Sequence, residues 1–267
     1  MRFLFSKEKT MIYYFSGTGN SHYVAEVLSK SLQDTMQSIE SAQGIKQDEM
    51  IAIVTQDKVK YWLTFSIKQD EMIAIVTPVY FFGLPDIVKD FLERLSVSSK
   101  SYFYLVVTYG GKPGNIGKEA NKIMQKKGTG FYAMYGVKMV DTYIPMYDAS
   151  KNEKIESQID PQIEEIITQI KERRIGDYLK GTVPVFINKA CSFQYKQVRK
   201  TYNLTIDESC IHCGLCAKEC PEQAIEIKDH VTFKKEQCMM CLRCLHHCPV
   251  NAIRFKNKDK GQYRGLL

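Results

Sequence analysis

The sequence predicts an α/β protein, a doubly wound parallel sheet followed by a small α+β module. Two features predict it. Strand-length apolar runs alternate with helical periodicity as far as residue 138, and the cysteines are confined to the far part of the chain. Of nine among 267 residues, none precedes Cys191, and eight fall into two copies of one spacing.

Residues 11–15 form a buried strand, and a glycine-containing turn follows. Val24, Val27, Leu28 and Leu32 then recur at helical spacing. Residues 72–77 are a second apolar strand, ended by Pro78, and Ile87, Phe91, Leu92 and Leu95 mark the next helix. Residues 102–108 make a third strand before Gly110 and Gly111, a polar helix covers residues 115–127, and residues 131–138 supply a further strand. This alternation argues for a parallel sheet with helices on both faces. Residues 45–55 recur letter for letter as 67–77. Two copies without a third do not build a solenoid. The second copy is assigned to the central strand, the first to an edge strand or an inserted loop. Residues 152–174 predict one charged helix ending near Gly176.

The expected division is 1–180 for the α/β domain, 181–202 for a linker and 203–267 for the cysteine module. The linker carries Lys189, Lys196, Arg199 and Lys200 with no acidic residue. It reads as a surface for an acidic partner, or as a strip paired with acids of the neighbouring domain. Residues 257–267 read as a frayed basic tail.

The spacing Cys-x2-Cys-x2-Cys-x3-Cys-Pro occurs as Cys210, Cys213, Cys216 and Cys220 with Pro221. It occurs again as Cys238, Cys241, Cys244 and Cys248 with Pro249. A cubane cluster needs four soft thiolates converging on one core; in bacterial two-cluster ferredoxins the fourth cysteine of each run ligates the other cluster. The expectation is two [4Fe-4S] clusters. The first takes Cys210, Cys213, Cys216 and Cys248; the second takes Cys238, Cys241, Cys244 and Cys220. Structural zinc more often uses two separated Cys-x2-Cys pairs. Residues 224–227 and 252–255 follow the runs at equivalent positions and predict matching strands. His212, His246 and His247 read as solvated surface histidines, with a hydrogen bond to a cluster sulfur as the alternative. Met239 and Met240 read as packing around the second cluster, and Cys191 as a small buried hydrophobe.

After the first strand, Ser16, Gly17, Thr18, Gly19, Asn20 and Ser21 lead directly into a helix. The glycines let successive N–H groups face inward, the hydroxyls add donors, and a helix N-terminus favours an anion. Such a loop holds a phosphate without Lys or Arg; it is neither a Rossmann nor a Walker loop. A small-residue turn without a ligand is the alternative, disfavoured by the rest of the domain. Thr77, Pro78, Val79, Tyr80, Phe81, Phe82 and Gly83 close the second buried run, and Thr108, Tyr109, Gly110 and Gly111 close the third. Through residues 15–21, 77–85 and 107–115, residues 11–150 resemble a flavodoxin-like domain. Nearly the whole chain resembles the flavodoxin–ferredoxin fusion family. The resemblance implies a flavodoxin-like sheet of order 2-1-3-4-5, with FMN at the switch point beyond the strand C-termini. It puts the phosphate in the first loop and the ring between the other two. Tyr80, Phe81 and Tyr109 are then candidates to stack on the ring, and backbone groups near Gly83, Gly110 and Gly111 to approach it. Residues 143–148 also resemble a family segment.

Such a fusion suits a carrier joining one- and two-electron redox protein partners, with no catalytic residue of its own. The alternative is an FMN-dependent reductase of a quinone or nitro compound; whether protein caps the flavin separates the two. A redox sensor is disfavoured because no DNA-reading module is recognisable. The formal charge is +7, but the clusters would add about −4 and a flavin phosphate about −2. Nucleic acid is therefore not an expected partner. Neither an apolar run of membrane-spanning length nor a secretory leader is recognised. Clustered thiols point to a reducing, cytoplasmic setting.

Overall fold

The computed structural model describes residues 10–42, 51–55, 58–62, 65–66, 72–98 and 100–266. The chain begins with β1 (Thr10–Tyr14), α1 (Asn20–Leu32), β2 (Thr35–Ser38) and α2 (Ile39–Ala42). Next come β3 (Ile51–Thr55), β4 (Lys58–Trp62), β5 (Phe65–Ser66), β6 (Met72–Pro78), α3 (Asp86–Arg94) and β7 (Leu95–Ser96). The sheet is completed through β8 (Phe103–Tyr109), α4 (Ile116–Gln125), β9 (Ala133–Lys138), α5 (Asn152–Glu156), α6 (Ile159–Lys171) and β10 (Gly176–Asp177). Helix α7 (Val185–Val198) leads to β11 (Leu204–Ile206), α8 (Leu215–Lys218), β12 (Ile225–Ile227), β13 (Val231–Phe233), α9 (Arg243–His247) and β14 (Ile253–Phe255).

Among the described residues the main sheet runs β2-β1-β6-β8-β9-β10, parallel at every junction. This is the expected flavodoxin-like order with one two-residue strand added beyond β9. A central parallel strand is covered on both faces, so it must be apolar at every position rather than at alternate ones. In β6, Ile73 and Ile75 join the core beneath α3 and α4, while Ala74 and Val76 join the core beneath α1 and α6. The order reverses between β1 and β6, and the loops that follow these strands open onto the resulting crevice.

Several expectations change. The charged helix of residues 152–174 is two helices, and Pro161 explains the break. It sits in the first turn of α6, where a missing N–H costs nothing, but it would interrupt a helix running on from α5. Nor is α6 merely charged: Ile159, Ile163, Ile166, Ile167 and Ile170 form a buried stripe on the sheet. The first repeat copy does not extend the main sheet. Its β3 pairs antiparallel with β4 as a separate inserted ribbon, while residues 43–50 and 67–71 lie outside the described residues, as do residues 1–9.

In the cysteine module β11 pairs with β14 and β12 with β13, both antiparallel, so both expected strands are present. The tail is not frayed. Tyr263 is 3% exposed and its N–H donates to His246 Nδ1 (3.0 Å), while Gln262 Nε2 donates to the carbonyls of Leu245 and Cys248. Even its basic groups bond backbone rather than face water alone: Lys260 Nζ donates to Pro145 O (3.1 Å) and Arg264 to Cys248 O (3.4 Å). Among the described residues no helix is long and apolar enough to cross a membrane.

Candidate functional site

A cavity of about 370 Å³ lies at the switch point. Ser16, Gly17, Thr18, Asn20 and Ser21 line it from the loop after β1. Pro78, Val79, Tyr80, Phe81 and Phe82 follow β6, and Thr108, Tyr109, Gly110 and Gly111 follow β8. The structure thus brings three sequence-distant loops to one place. Three of the expected residues stand back from it. Gly19 instead opens α1 with φ 96°. Thr77 is fully buried in β6. Gly83 closes a turn, exchanging backbone hydrogen bonds with Tyr80 at 2.9 Å in each direction. Within that turn Phe81 and Phe82 hold left-handed φ of 49° and 66°, a conformation costing about 1–2 kcal/mol per non-glycine residue. The strained turn sets the Phe81 ring against Tyr195 (stacked, 5.1 Å) and Tyr143 (edge-on, 5.2 Å).

The loop after β1 fits an anionic ligand bearing hydroxyl groups. No side chain caps α1 and its first turn holds no acid, so its amide dipoles are left for an anion. Asn20 donates from Nδ2 to Val140 O (3.0 Å), yet its buried Oδ1 has no partner among the described residues. That acceptor suits a ligand hydroxyl. Ser21 and Thr108 join their hydroxyls at 2.8 Å, tying the first loop to the third.

Sequence reasoning missed the fourth loop and the roof. After β9 the cavity is lined by Val140, Asp141, Thr142, Tyr143 and Met146; the family-like segment at 143–148 was the available signal. Gly110 makes room for this loop, since a Cβ there would meet Asp141 Cβ at 2.3 Å. The presumed linker supplies Cys191, Gln194 and Tyr195 on α7, so Cys191 is a half-buried cavity residue rather than a buried hydrophobe. The second cysteine run adds Met240, Cys241 and Leu242. Gly17 packs directly against that run: a Cβ on it would lie 2.7 Å from Cys241 O and 2.7 Å from the Tyr80 hydroxyl.

Burial raises the Asp141 carboxyl above its ordinary value, against the opposing pull of the Tyr143 amide. The stability this group contributes is therefore full at acid pH and declines as pH rises through the raised value. Asp141→Asn, which keeps the acceptor for Tyr143, should raise the melting temperature at pH 7 and leave it unchanged near pH 3. The same gain at both pH values would show that ionisation is not the cause.

The cysteines gather around two small cavities. Cys210, Cys213, Cys216 and Cys248 line one; Cys220, Cys238, Cys241 and Cys244 line the other. Each takes three thiols from one run and the fourth from the other. Burial pushes the Cys216 thiol up, with Cys210, Cys213 and Cys248 adding repulsion, and pushes Cys241 up to about 12. Bound iron would reverse this, since a coordinating thiol is deprotonated outright. The amides of Ala224, Met240 and Ala252 donate to the sulfurs of Cys220, Cys238 and Cys248 at 3.2, 3.3 and 3.3 Å. Such donors suit thiolate ligands.

Several side chains fasten this module to the α/β domain. Arg243 binds both carboxylate oxygens of Glu40 (2.5 and 3.0 Å) and donates to the carbonyls of Ser16 (2.5 Å) and Glu219 (2.9 Å). Arg199 pairs with Asp86 and donates to Cys238 O, so one of the four linker cations is structural. Met239 lines the cavity of Cys220, Cys238, Cys241 and Cys244 and at the same time belongs to the core beneath α3 and α4. His246 also departs from expectation: fully buried, it donates from Nε2 to Thr142 O (2.8 Å), and burial lowers its pKa to about 4, so it is neutral. His247 pairs with Glu219; His212 is exposed.

Residues 209–259 match the family model described as a 4Fe-4S dicluster domain. No curated protein matches the chain. Among solved structures, a protein from Bacteroides uniformis ATCC 8492 described as a flavoprotein is similar at 15% identity, covering 57% of this chain and 98% of its own with a TM-score of 0.35. Rubredoxin oxygen:oxidoreductase from Desulfovibrio gigas is similar at 12% identity (63% of this chain, 37% of its own, TM-score 0.35). An azoreductase from Bacillus anthracis str. Sterne is similar at 10% identity (61% and 99%, TM-score 0.39).

Proposed function

We propose that this chain is an electron-transfer protein that exchanges electrons between FMN at the switch point and two [4Fe-4S] clusters, joining one- and two-electron redox protein partners. The single observation that carries the reading is Cys241. The same residue lines the switch-point cavity and the cysteine cavity shared with Cys220, Cys238 and Cys244. When bound, the clusters supply single electrons and the flavin accepts one or two.

The chain's own residues bind, orient and exclude water. The uncapped start of α1 and the small residues of the 16–21 loop suit a single terminal phosphate, and Asn20 Oδ1 suits a hydroxyl of the linking chain. Phe81, Tyr143 and Tyr195 wall the cavity with aromatic surface, and Met240 and Leu242 shed water from the side facing Cys241. Residues of α7 and of the second cysteine run cover one side of the cavity, and such protein cover favours the carrier over the small-molecule reductase. The crossed cysteine sets favour cluster one on Cys210, Cys213, Cys216 and Cys248, and cluster two on Cys220, Cys238, Cys241 and Cys244.

Anaerobic reconstitution followed by stepwise reduction tests this. The holoprotein should hold about eight iron, about eight acid-labile sulfide and one FMN, and should take up about four electrons. Four iron, or no flavin, would refute it.

A further inference from the structure

We propose that the outer face of α7 is the docking surface for an acidic redox protein, which it brings to the mouth of the switch-point cavity. The inference rests on the electron-transfer reading above.

Helix α7 has two faces. Cys191 and Tyr195 point into the cavity. At about 100° per residue, Phe186 and Phe193 fall on the opposite side, with Lys189 and Lys196 beside them. Phe186 is 72% exposed and Phe193 66%. A large aromatic side chain brings about 150–250 Å² of surface that gains by burial, and two such rings on one helix face form an apolar patch of the kind that marks interaction sites. Propensity does not explain them, since aromatic residues are poor helix formers when unpacked.

The charge around the patch selects the partner. No acidic residue occurs between Asp177 and Asp207. Arg199 is neutralised by Asp86 and Lys200 lies over the Tyr202 ring, whereas Lys189 and Lys196 are exposed. Lys112, also exposed, extends the positive surface to the rim of the cavity. Aromatic rings ringed by lysines fit a partner with an apolar centre and an acidic surround, and opposite charge speeds its encounter. On docking, one electron leaves the partner's reduced centre and enters this chain's oxidised centre, with no bond or proton changing hands.

The test compares two reductants of the anaerobic holoprotein in stopped flow: a prereduced, acidic plant-type [2Fe-2S] ferredoxin, and dithionite. The variants are Lys189→Gln with Lys196→Gln, and Phe186→Ser with Phe193→Ser. Each should slow reduction by the ferredoxin about tenfold, and the lysine variant should flatten its dependence on salt. Dithionite reduction and cofactor content should be unchanged. Normal dithionite reduction, with ferredoxin rates equal in parent and variants, overturns the docking proposal alone. A parent protein that dithionite does not reduce overturns the electron-transfer reading and this proposal with it. Two further outcomes also overturn it: a parent that sediments as a dimer which the phenylalanine variant splits, or a parent that co-sediments with anionic phospholipid vesicles and loses this with the lysines.

Discussion

Cys220→Ala should remove about half of the iron, and the cluster lost should be the one beside the flavin. Its sulfur lies in the cavity of Cys238, Cys241 and Cys244, although its neighbours in sequence are Cys213 and Cys216. Cys248→Ala should cost the same amount of iron from the other cluster, because Cys248 lines the cavity of Cys210, Cys213 and Cys216. The pair separates two outcomes that iron content alone would not. Loss at Cys220 should also weaken FMN binding, since the Cys241 loop packs on Gly17, whereas loss at Cys248 should leave FMN in place. Iron and flavin analysis with low-temperature spectroscopy of both variants reads this out. The reverse assignment of the surviving clusters would refute the crossed ligand sets.

Arg243→Met should destabilise the protein by about 3 kcal/mol, the low end of what removing one partner of a buried pair costs. The guanidinium is 14% exposed and Glu40 is 29% exposed, so water partly compensates the abandoned carboxylate. The carbonyl of Ser16 also loses its donor, and it belongs to the loop assigned to the phosphate, so flavin retention should fall with stability. Arg243→Met combined with Glu40→Gln should recover most of the loss, because the uncompensated charge is gone. Urea unfolding of the parent, both single variants and the double variant measures the coupling. A double variant as unstable as the sum of the singles would mean that the ion pair contributes nothing.

The three loops after β1, β6 and β8 were legible because they rest on local signals, continuous apolar runs ended by Gly or Pro, and the sheet order followed from the family resemblance those loops carry. So were the cysteine runs, whose spacing is itself the chemistry. What could not be read was anything set by contact between distant segments. Asp141 is an acid in a loop until Gly110 lets it approach the cavity. The 181–202 segment had the composition of a linker, and only packing reveals that Tyr195 donates to Met239 O at 2.7 Å and walls the cavity. His246 read as solvated because a histidine in a short polar-ended loop among ligands usually is; the returning chain end at Tyr263, which bonds it, accompanies its burial. Helix α6 was misjudged for the opposite reason. Its charges were counted and the isoleucine spacing beneath them was not.

The position of Met239 couples the two halves as an equilibrium. It is a core residue of the α/β domain, yet it sits between Cys238 and Cys241, both of which line the second cysteine cavity. Any force that reshapes this loop, such as loss of iron under oxidation, pulls on the packing beneath α3 and α4 and on the wall against Gly17. Thermodynamic reciprocity then applies: whatever factor cluster occupancy adds to flavin affinity, flavin occupancy must add to cluster retention. A chain starved of flavin should surrender iron from Cys220, Cys238, Cys241 and Cys244 sooner than from Cys210, Cys213, Cys216 and Cys248, and a chain starved of iron should lose its flavin more readily.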